Sequence, residues 1–483
     1  MGYWDMDLQD WISLAKNKLA DLKIDEIRHT GILPDDGNKF FPVIGYPPLT
    51  MFSETDETQL FENFQDRQIR PLSGYIHIPF CPTRCTFCHW ITKTKSLSEE
   101  VDVYLDYLDK EMTLYKTKMG VDQIPAESIL VGGGTPTYLN PKQMQRFMEM
   151  IHKHYDLSIC TQLSVEAEPN TIIGDEGYEK LRIMKEHGVD RISMGVQSFD
   201  DETLAYMGRG HKHSATLESI DTMRKAGIDN IFIDLIYAYP NQSVEDWARN
   251  IMEAVTLDID GYQLYRLRIK QHGDRKGNII RQFDRKPEQF ASADEILLMK
   301  MLGIVISTEN GFEEHQARVF AKNEDAISHY LRDWTNELYD VAGVGVSAWS
   351  NLRGVFTLNV GDQNLQSYYD LIDQNKVAVN RGKLRSRDDE LRRSFLLPLK
   401  NIKVDKYAFE ARTGVTVSSQ FQSEIDWLKS YNMLEEDDLY VWLTDRGRFF
   451  ADEVTTQFFN PQYMPFSDVS TISQKLLKNG TRR

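Results

Sequence analysis

Six short apolar segments punctuate residues 75–268, and their spacing constrains the fold more than any other feature. They begin at Tyr75 (YIHI), Ile129 (ILV), Leu163 (LSVE), Arg191 (RISMGV), Ile231 (IFIDLIY) and Tyr262 (YQLYRL), and are 54, 34, 28, 40 and 31 residues apart. Helical patterns fill the gaps, over 99–116, 141–154, 175–187, 215–226 and 243–256. Strands alternating with helices at this period form βα units, which build parallel sheets. Six units predict an α/β fold, a partial (β/α)6 barrel of TIM-like form. Chemistry in such barrels collects at the C-terminal strand ends. Cys81 with its loop, residues 132–135, Glu166, Gln197 and Asp234 all occupy such positions.

The remainder divides around this unit. Residues 1–70 read as an N-terminal extension and possible lid, with a helical period from Leu8 to Leu22 and a turn-rich stretch at 34–54. The barrel with its extension is expected over 71–355, including a helix at 292–308 and a turn or tight packing segment at 343–348 (GVGVSA). A connector follows at 356–386, then a small helical, winged-helix-like domain at 387–460 with a hairpin near 432–443. The tail, 461–483, is expected to fray.

Charge narrows the function classes. The 483 residues carry 56 Lys and Arg against 73 Asp and Glu, a net charge of −17. That balance excludes a general nucleic-acid surface, which displaces counterions with basic side chains. No apolar run approaches the ~20 residues needed to span a bilayer, and the acidic start lacks the pattern of a signal peptide. A cytoplasmic monomer is the expectation. Four cysteines cannot build a disulfide framework, yet three lie within eight residues: Cys81, Cys85 and Cys88.

Cys-x3-Cys-x2-Cys puts three thiolates on one short loop. Three ligands satisfy three irons of a [4Fe–4S] cluster and leave the fourth open to a cofactor or substrate. The rival reading is zinc, with His89 as fourth ligand. Adjacent ligands suit zinc poorly, and no second ligand pair follows at zinc-finger spacing.

YIHIPFCPTRCTFCHW, VGGGTPTYL, SVEAEPN, RISMGVQSFD, MGRGH and IDLIYAYP, in this order, resemble the oxygen-independent coproporphyrinogen III oxidase-like group of radical S-adenosylmethionine (SAM) enzymes. The resemblance implies a radical SAM barrel in which Cys81, Cys85 and Cys88 bind the cluster and Phe87 shields it or meets the adenine. It places Gly133, Gly134 and Thr135 at the edge receiving the SAM amino group, and Glu166 on the ribose. Gln197, Arg209 and Asp234 complete that pocket, and Tyr75 contacts the cluster or its SAM. The implied electron donor is a flavodoxin or ferredoxin.

Two departures direct the choice of reaction. Trp90 stands where the oxidases of this group carry a further cysteine, and Gly208–His211 forms a Gly-Arg-x-His pattern that they usually lack. Both make oxidative decarboxylation of coproporphyrinogen less expected and favour two kinds of relative, haem chaperones and the enzymes that use two SAM molecules for carbon methylation or cyclopropanation. A second SAM is then expected around Asp234, the end of the sixth strand and residues 343–349, with Arg266 and Arg268 on one strand face and Trp349 as a contact. The expected enzyme is a radical SAM methyl or methylene transferase acting on an unsaturated, aromatic or tetrapyrrole small molecule. Oxidative decarboxylation of the coproporphyrinogen oxidase kind, or a haem chaperone, is the alternative.

Overall fold

In a computed structural model of the protein, residues 6–28, 30–33, 43, 45–62, 71–269, 278–362 and 364–463 are described. The six expected strands form: β1 (Leu72–Ile78), β2 (Ala126–Gly133), β3 (Gln162–Ala167), β4 (Val189–Gln197), β5 (Asn230–Tyr237) and β6 (Gly261–Arg266). Each pairs in parallel with the next. Helices cover the sheet, so the strands read as nearly continuous apolar runs. Ile231, Phe232, Ile233 and Leu235 of β5 are all fully buried.

The intervening helices have local causes. α1 (Leu8–Asp21) starts at a capping box made by Asp7 and Asp10. α2 (Ser98–Met119) stops at Gly120, whose φ of +69° suits glycine. α3 (Pro141–His154) has Asn140 and Gln143 as its capping box and proline in its first turn. α4 (Gly174–Glu186), α5 (His213–Lys225), α6 (Val244–Ala254) and α7 (Ala293–Glu309) follow. Trp11, Ile12 and Ala15 of α1 are buried, and α1 packs on α6 and α7.

The sheet is larger than six strands. β7 (Glu313–Gln316) and β8 (Val319–Ala321) form a hairpin that joins β6 antiparallel through β8. On the other flank β9 (Val341–Val344) lies parallel to β1, and β10 (Trp349–Leu352), β11 (Val355–Asn359) and β12 (Val379–Leu384) continue antiparallel. The order of the 13 strands runs Ser53–Glu54, β12, β11, β10, β9, β1, β2, β3, β4, β5, β6, β8, β7. The ends do not meet, which makes the barrel partial. The segment 343–348, read as a turn or tight packing segment, starts as strand: Gly343 and Val344 belong to β9, and the turn starts at Gly345. Residues 356–386, read as a connector, carry most of β11 and all of β12.

The C-terminal domain is helical and carries a wing. α8 (Arg387–Lys400), α9 (Lys406–Thr413) and α10 (Val417–Ser430) pack beside β13 (Lys403–Asp405), β14 (Leu434–Glu436) and β15 (Tyr440–Leu443). These strands pair antiparallel with β15 in the centre, where the hairpin was expected. Phe395 packs on Phe409, Phe421 and Phe458 to form the domain core. Residues 34–42 and 44 of the turn-rich stretch 34–54, and the tail beyond Tyr463, lie outside the described residues.

Candidate functional site

A cavity of about 540 Å³ lies at the C-terminal ends of β1–β6. Every residue assigned to the cluster or to SAM from the sequence borders it: Cys81, Cys85 and Cys88, together with Tyr75, Phe87, Gly133, Gly134, Thr135, Glu166, Gln197, Arg209, Asp234, Arg268 and Trp349. A larger hollow of about 1620 Å³, between α1, α7 and the C-terminal domain, contains none of them.

The glycine edge after β2 is built for close approach. A Cβ on Gly132 would meet Glu166 Oε2 at 2.7 Å, one on Gly133 would meet His77 Nε2 at 2.6 Å, and one on Gly134 would meet the Phe80 carbonyl at 2.7 Å. Gly133 has φ +111° and donates its N–H to Glu166 Oε2 at 3.2 Å. The next two amides donate to the Ile78 and Phe80 carbonyls, both at 2.7 Å. They clamp the glycine edge to the start of the cysteine loop. Thr135 Oγ1 reaches Cys81 Sγ at 3.5 Å.

β4 ends in an irregular register between Gly195 and Gln197, and Gln197 takes φ +70°. Gly195 leaves room there, since a Cβ on it would come within 2.8 Å of Gln197 Nε2. Arg209 donates to the Gly195 carbonyl and, at 3.4 Å, to Cys85 Sγ. Glu168 lies 3.9 Å from Arg209 and 2.9 Å from His211 Nδ1, while His211 Nε2 is 3.2 Å from the Val196 carbonyl. Both His211 nitrogens are therefore engaged. Phe87 packs edge-on against Tyr239. Tyr75 Oη lies 3.0 Å from His77 Nδ1, and its ring meets Trp349 and Tyr330.

Burial sets the proton affinities. It raises Glu166 above the ordinary carboxylate range, against the opposing Gly133 N–H. Burial, then the neighbouring Glu166, pushes Asp234 up to about 7. Burial lowers Arg268 to about 10, with Arg318 adding to the effect. For Arg209, burial acts against the cation, but Cys85 and Glu168 outweigh it and leave the pKa raised. Burial also pushes Cys81 up to about 12 and Cys88 up to about 11.

The donor set fits an iron–sulfur cluster. Three soft thiols border one cavity, and bound metal supplies the charge that displaces their protons. Among the described residues, no three His, Cys, Asp or Glu side chains are grouped to hold a metal ion of their own. His89, the rival zinc ligand, lies 3.1 Å through Nε2 from the Arg268 carbonyl. SAM also fits: Glu166 suits vicinal hydroxyls, Asp234 and Glu168 suit its cationic groups, and Arg209 suits its carboxylate. When bound, cluster and SAM together supply a carbon-centred radical able to take hydrogen from unactivated carbon. The residues above would hold these groups and orient them, and the cavity wall would limit water around them.

The sequence reading missed part of the wall. Tyr330 and Trp334, four residues apart on the short helix His329–Thr335, border the cavity beside Trp349. The Trp334 and Trp349 ring centroids are 4.6 Å apart. That i, i+4 aromatic pair was a legible signal. Arg318 and Lys400 come from segments beyond the βα rhythm, where no periodicity points to them, whereas Ser347 lies within the stretch 343–349 expected to border a second SAM.

Known proteins agree with this geometry. The model of the Radical SAM superfamily matches residues 75–253, and that of the HemN C-terminal domain matches 386–450. Heme chaperone HemW of Bacillus subtilis is 32% identical over 393 residues, covering 80% of this chain and 98% of that one. Oxygen-independent coproporphyrinogen III oxidase of Salmonella typhimurium is 28% identical over 428 residues, covering 86% and 91%. The solved structure of coproporphyrinogen III oxidase (HemN) from Escherichia coli, described as a radical SAM enzyme, superposes with a TM-score of 0.74. It is 25% identical and covers 87% of this chain and 97% of that one.

These relatives overturn the expected methyl or methylene transferase. Proteins matching nearly end to end are oxidases or heme chaperones, so Trp90 and the Gly-Arg-x-His pattern do not mark a transferase. With 98% of the Bacillus subtilis protein matched at 32% identity, the chain belongs to the radical SAM family of heme chaperone HemW and oxygen-independent coproporphyrinogen III oxidase.

Proposed function

We propose that the protein is a radical SAM oxidoreductase of the coproporphyrinogen oxidase kind, acting on a tetrapyrrole that carries carboxylates. One observation carries the reading: the cavity next to the thiols combines an aromatic wall with an excess of cations. Six cationic side chains border it, Arg84, Arg209, Arg266, Arg268, Arg318 and Lys400, against three carboxylates, Glu166, Glu168 and Asp234. This local sign opposes the −17 of the whole chain. Guanidinium groups suit carboxylates through paired N–H donors. Tyr330, Trp334 and Trp349 offer faces for a flat or unsaturated ring system. A second SAM at Arg268 and Trp349 would place its own carboxylate among the same cations, so SAM stoichiometry belongs with the test.

Oxidative decarboxylation of a propionate balances as loss of one hydrogen atom, one carbon dioxide and one electron, leaving a vinyl group. An electron acceptor must therefore take part. Initial reduction would draw on a carrier of the flavodoxin or ferredoxin kind, with Arg84 as a cation beside Cys85.

The test incubates reconstituted, anaerobically reduced protein with SAM and coproporphyrinogen III. The expected result is one 5′-deoxyadenosine per carbon dioxide, with a vinyl product. Deoxyadenosine formed without carbon dioxide would contradict the reading. The match to heme chaperone HemW supports a second reading, haem binding without turnover. Tight haem binding combined with no carbon dioxide would favour it. His211 offers no free ring nitrogen for that role, as both are engaged with Glu168 and Val196.

A further inference from the structure

One residue beside the cysteines is left without a role once zinc is set aside. His89 follows Cys88 directly and is 6% exposed. Its Nε2 lies 3.1 Å from the Arg268 carbonyl. A carbonyl only accepts, so Nε2 carries a proton and donates it there. The bond ties the cysteine loop to the chain leaving β6.

A second tie runs in parallel. Ile279 N–H, in the helix Asn278–Arg285, donates to the Thr86 carbonyl at 3.1 Å. Leu267 N–H donates to the Tyr237 carbonyl at 2.9 Å, which holds the chain just before Arg268 to the end of β5. Apolar packing reinforces these bonds. Leu267 and Ile279 form a small buried cluster with Met207, Ile236 and Tyr239, apart from the main core, and Phe87 of the cysteine loop packs against it. The exit of β6 and the cysteine loop thus support each other.

Arg268 is the side chain this arrangement presents, and it borders the cavity. The charges around it are Arg318, Tyr265 and Asp452, and none of them hydrogen-bonds it. Asp452 pairs instead with Lys400 at 2.9 Å and lies 4.0 Å from Arg318. A cation set in a cavity wall without a partner is costly. Paired donation to a carboxylate satisfies a guanidinium in such a place. A hydrogen bond on the carbonyl of Arg268 restrains the backbone from which that side chain departs.

We propose that His89 is a positioning residue, holding Arg268 through its carbonyl so that the guanidinium meets a ligand carboxylate in the cavity. The proposal deepens the function proposed above, in which that carboxylate belongs to the tetrapyrrole. A second SAM offers the same group, so the test has an arm for each.

The test uses reconstituted protein at matched iron content. The variants are His89→Leu, which removes the donor, His89→Gln, whose amide N–H replaces it, Arg268→Gln, and His89→Leu combined with Arg268→Gln. One arm titrates coproporphyrin III by quenching of tryptophan fluorescence, and the other counts bound SAM equivalents by equilibrium dialysis. Loss of one hydrogen bond predicts binding weaker by roughly 3- to 10-fold in His89→Leu, with recovery to within about twofold in His89→Gln. Loss of a charged donor predicts roughly 10-fold or more in Arg268→Gln, to which His89→Leu adds less than about twofold. Weaker coproporphyrin binding assigns the carboxylate to the tetrapyrrole, and weakening confined to a second SAM equivalent assigns it to SAM. Either supports the role of His89. Undiminished binding of both ligands by His89→Leu, or a loss that adds in full to that of Arg268→Gln, would overturn the proposal. Wild type that binds two SAM equivalents but no coproporphyrin would contradict the functional reading alone. Wild type that binds neither coproporphyrin nor a second SAM would overturn both.

Discussion

At the scale of single residues, the site is governed by what burial does to charge. Asp234 lies inside β5 with Ser193 Oγ 3.5 Å away, and burial and Glu166 together hold its pKa near 7. A cationic ligand is attracted only by the ionised form, so SAM affinity should rise as pH goes from 6 to 8. Asp234→Asn should flatten that rise and leave affinity near the low-pH value, as equilibrium SAM binding across pH would show. An unchanged pH profile in the variant would remove Asp234 from the pocket. The residues of the pocket were legible because their types are distinctive. A cysteine triplet, a triple glycine and isolated acids at strand ends each break an apolar pattern.

At the scale of elements, the six βα units were readable from their period, and the first strands begin close to the expected places. β9 was not. Its four residues, Val341–Val344, are too short and too rich in glycine to show alternation. Gly343 fits there because a Cβ would lie 2.0 Å from the Trp349 carbonyl oxygen. Long-range bonds make the strand: it pairs with β1 and is tied to α2 through Glu111. That carboxylate is fully buried and accepts from Gly345 N–H, Asn359 Nδ2, Tyr368 Oη and Ala378 N–H.

Desolvation nonetheless raises Glu111 from 4.5 to about 7. The folded chain then retains a proton that the unfolded chain releases between pH 4.5 and 7. This group's contribution to stability therefore falls as pH rises across that window, by up to roughly 3 kcal/mol. Glu111→Gln strands several donors and should cost about 2–4 kcal/mol. It should also remove this pH-dependent component from urea melts. Equal slopes for variant and wild type would place the titration elsewhere.

At the scale of the whole molecule, the net −17 describes the exterior and the cavity reverses it. The C-terminal domain takes part in that reversal. Its Lys400 reaches the cavity wall while pairing with Asp452 at 2.9 Å, and Asp452 also accepts from Val43 N–H at 2.8 Å. Through its hydrogen bonds to the Val43 backbone, this buried ion pair joins the C-terminal domain to the N-terminal extension at the rim of the site. Nothing in the sequence marks such a junction, because Val43 lies more than 350 residues from Lys400 and Asp452. Among the described residues, no helix is long and apolar enough to cross a membrane. The choice of reaction was the least legible property. Residues flanking the cluster ligands pointed to methyl transfer, while the near end-to-end relatives are oxidases and heme chaperones. The radical SAM match does not separate these reactions, and the part of the cavity wall that could do so comes from β7, β8, the helix His329–Thr335, the turn before β10 and the end of α8.

The central claim is that the cysteine loop holds a cluster that cleaves SAM reductively, and formation of 5′-deoxyadenosine under anaerobic, reducing conditions tests it most directly. Wild-type protein should form it in proportion to reconstituted iron and sulfide, and Cys88→Ala should form none above background. Equal yields from wild type and Cys88→Ala would contradict the account.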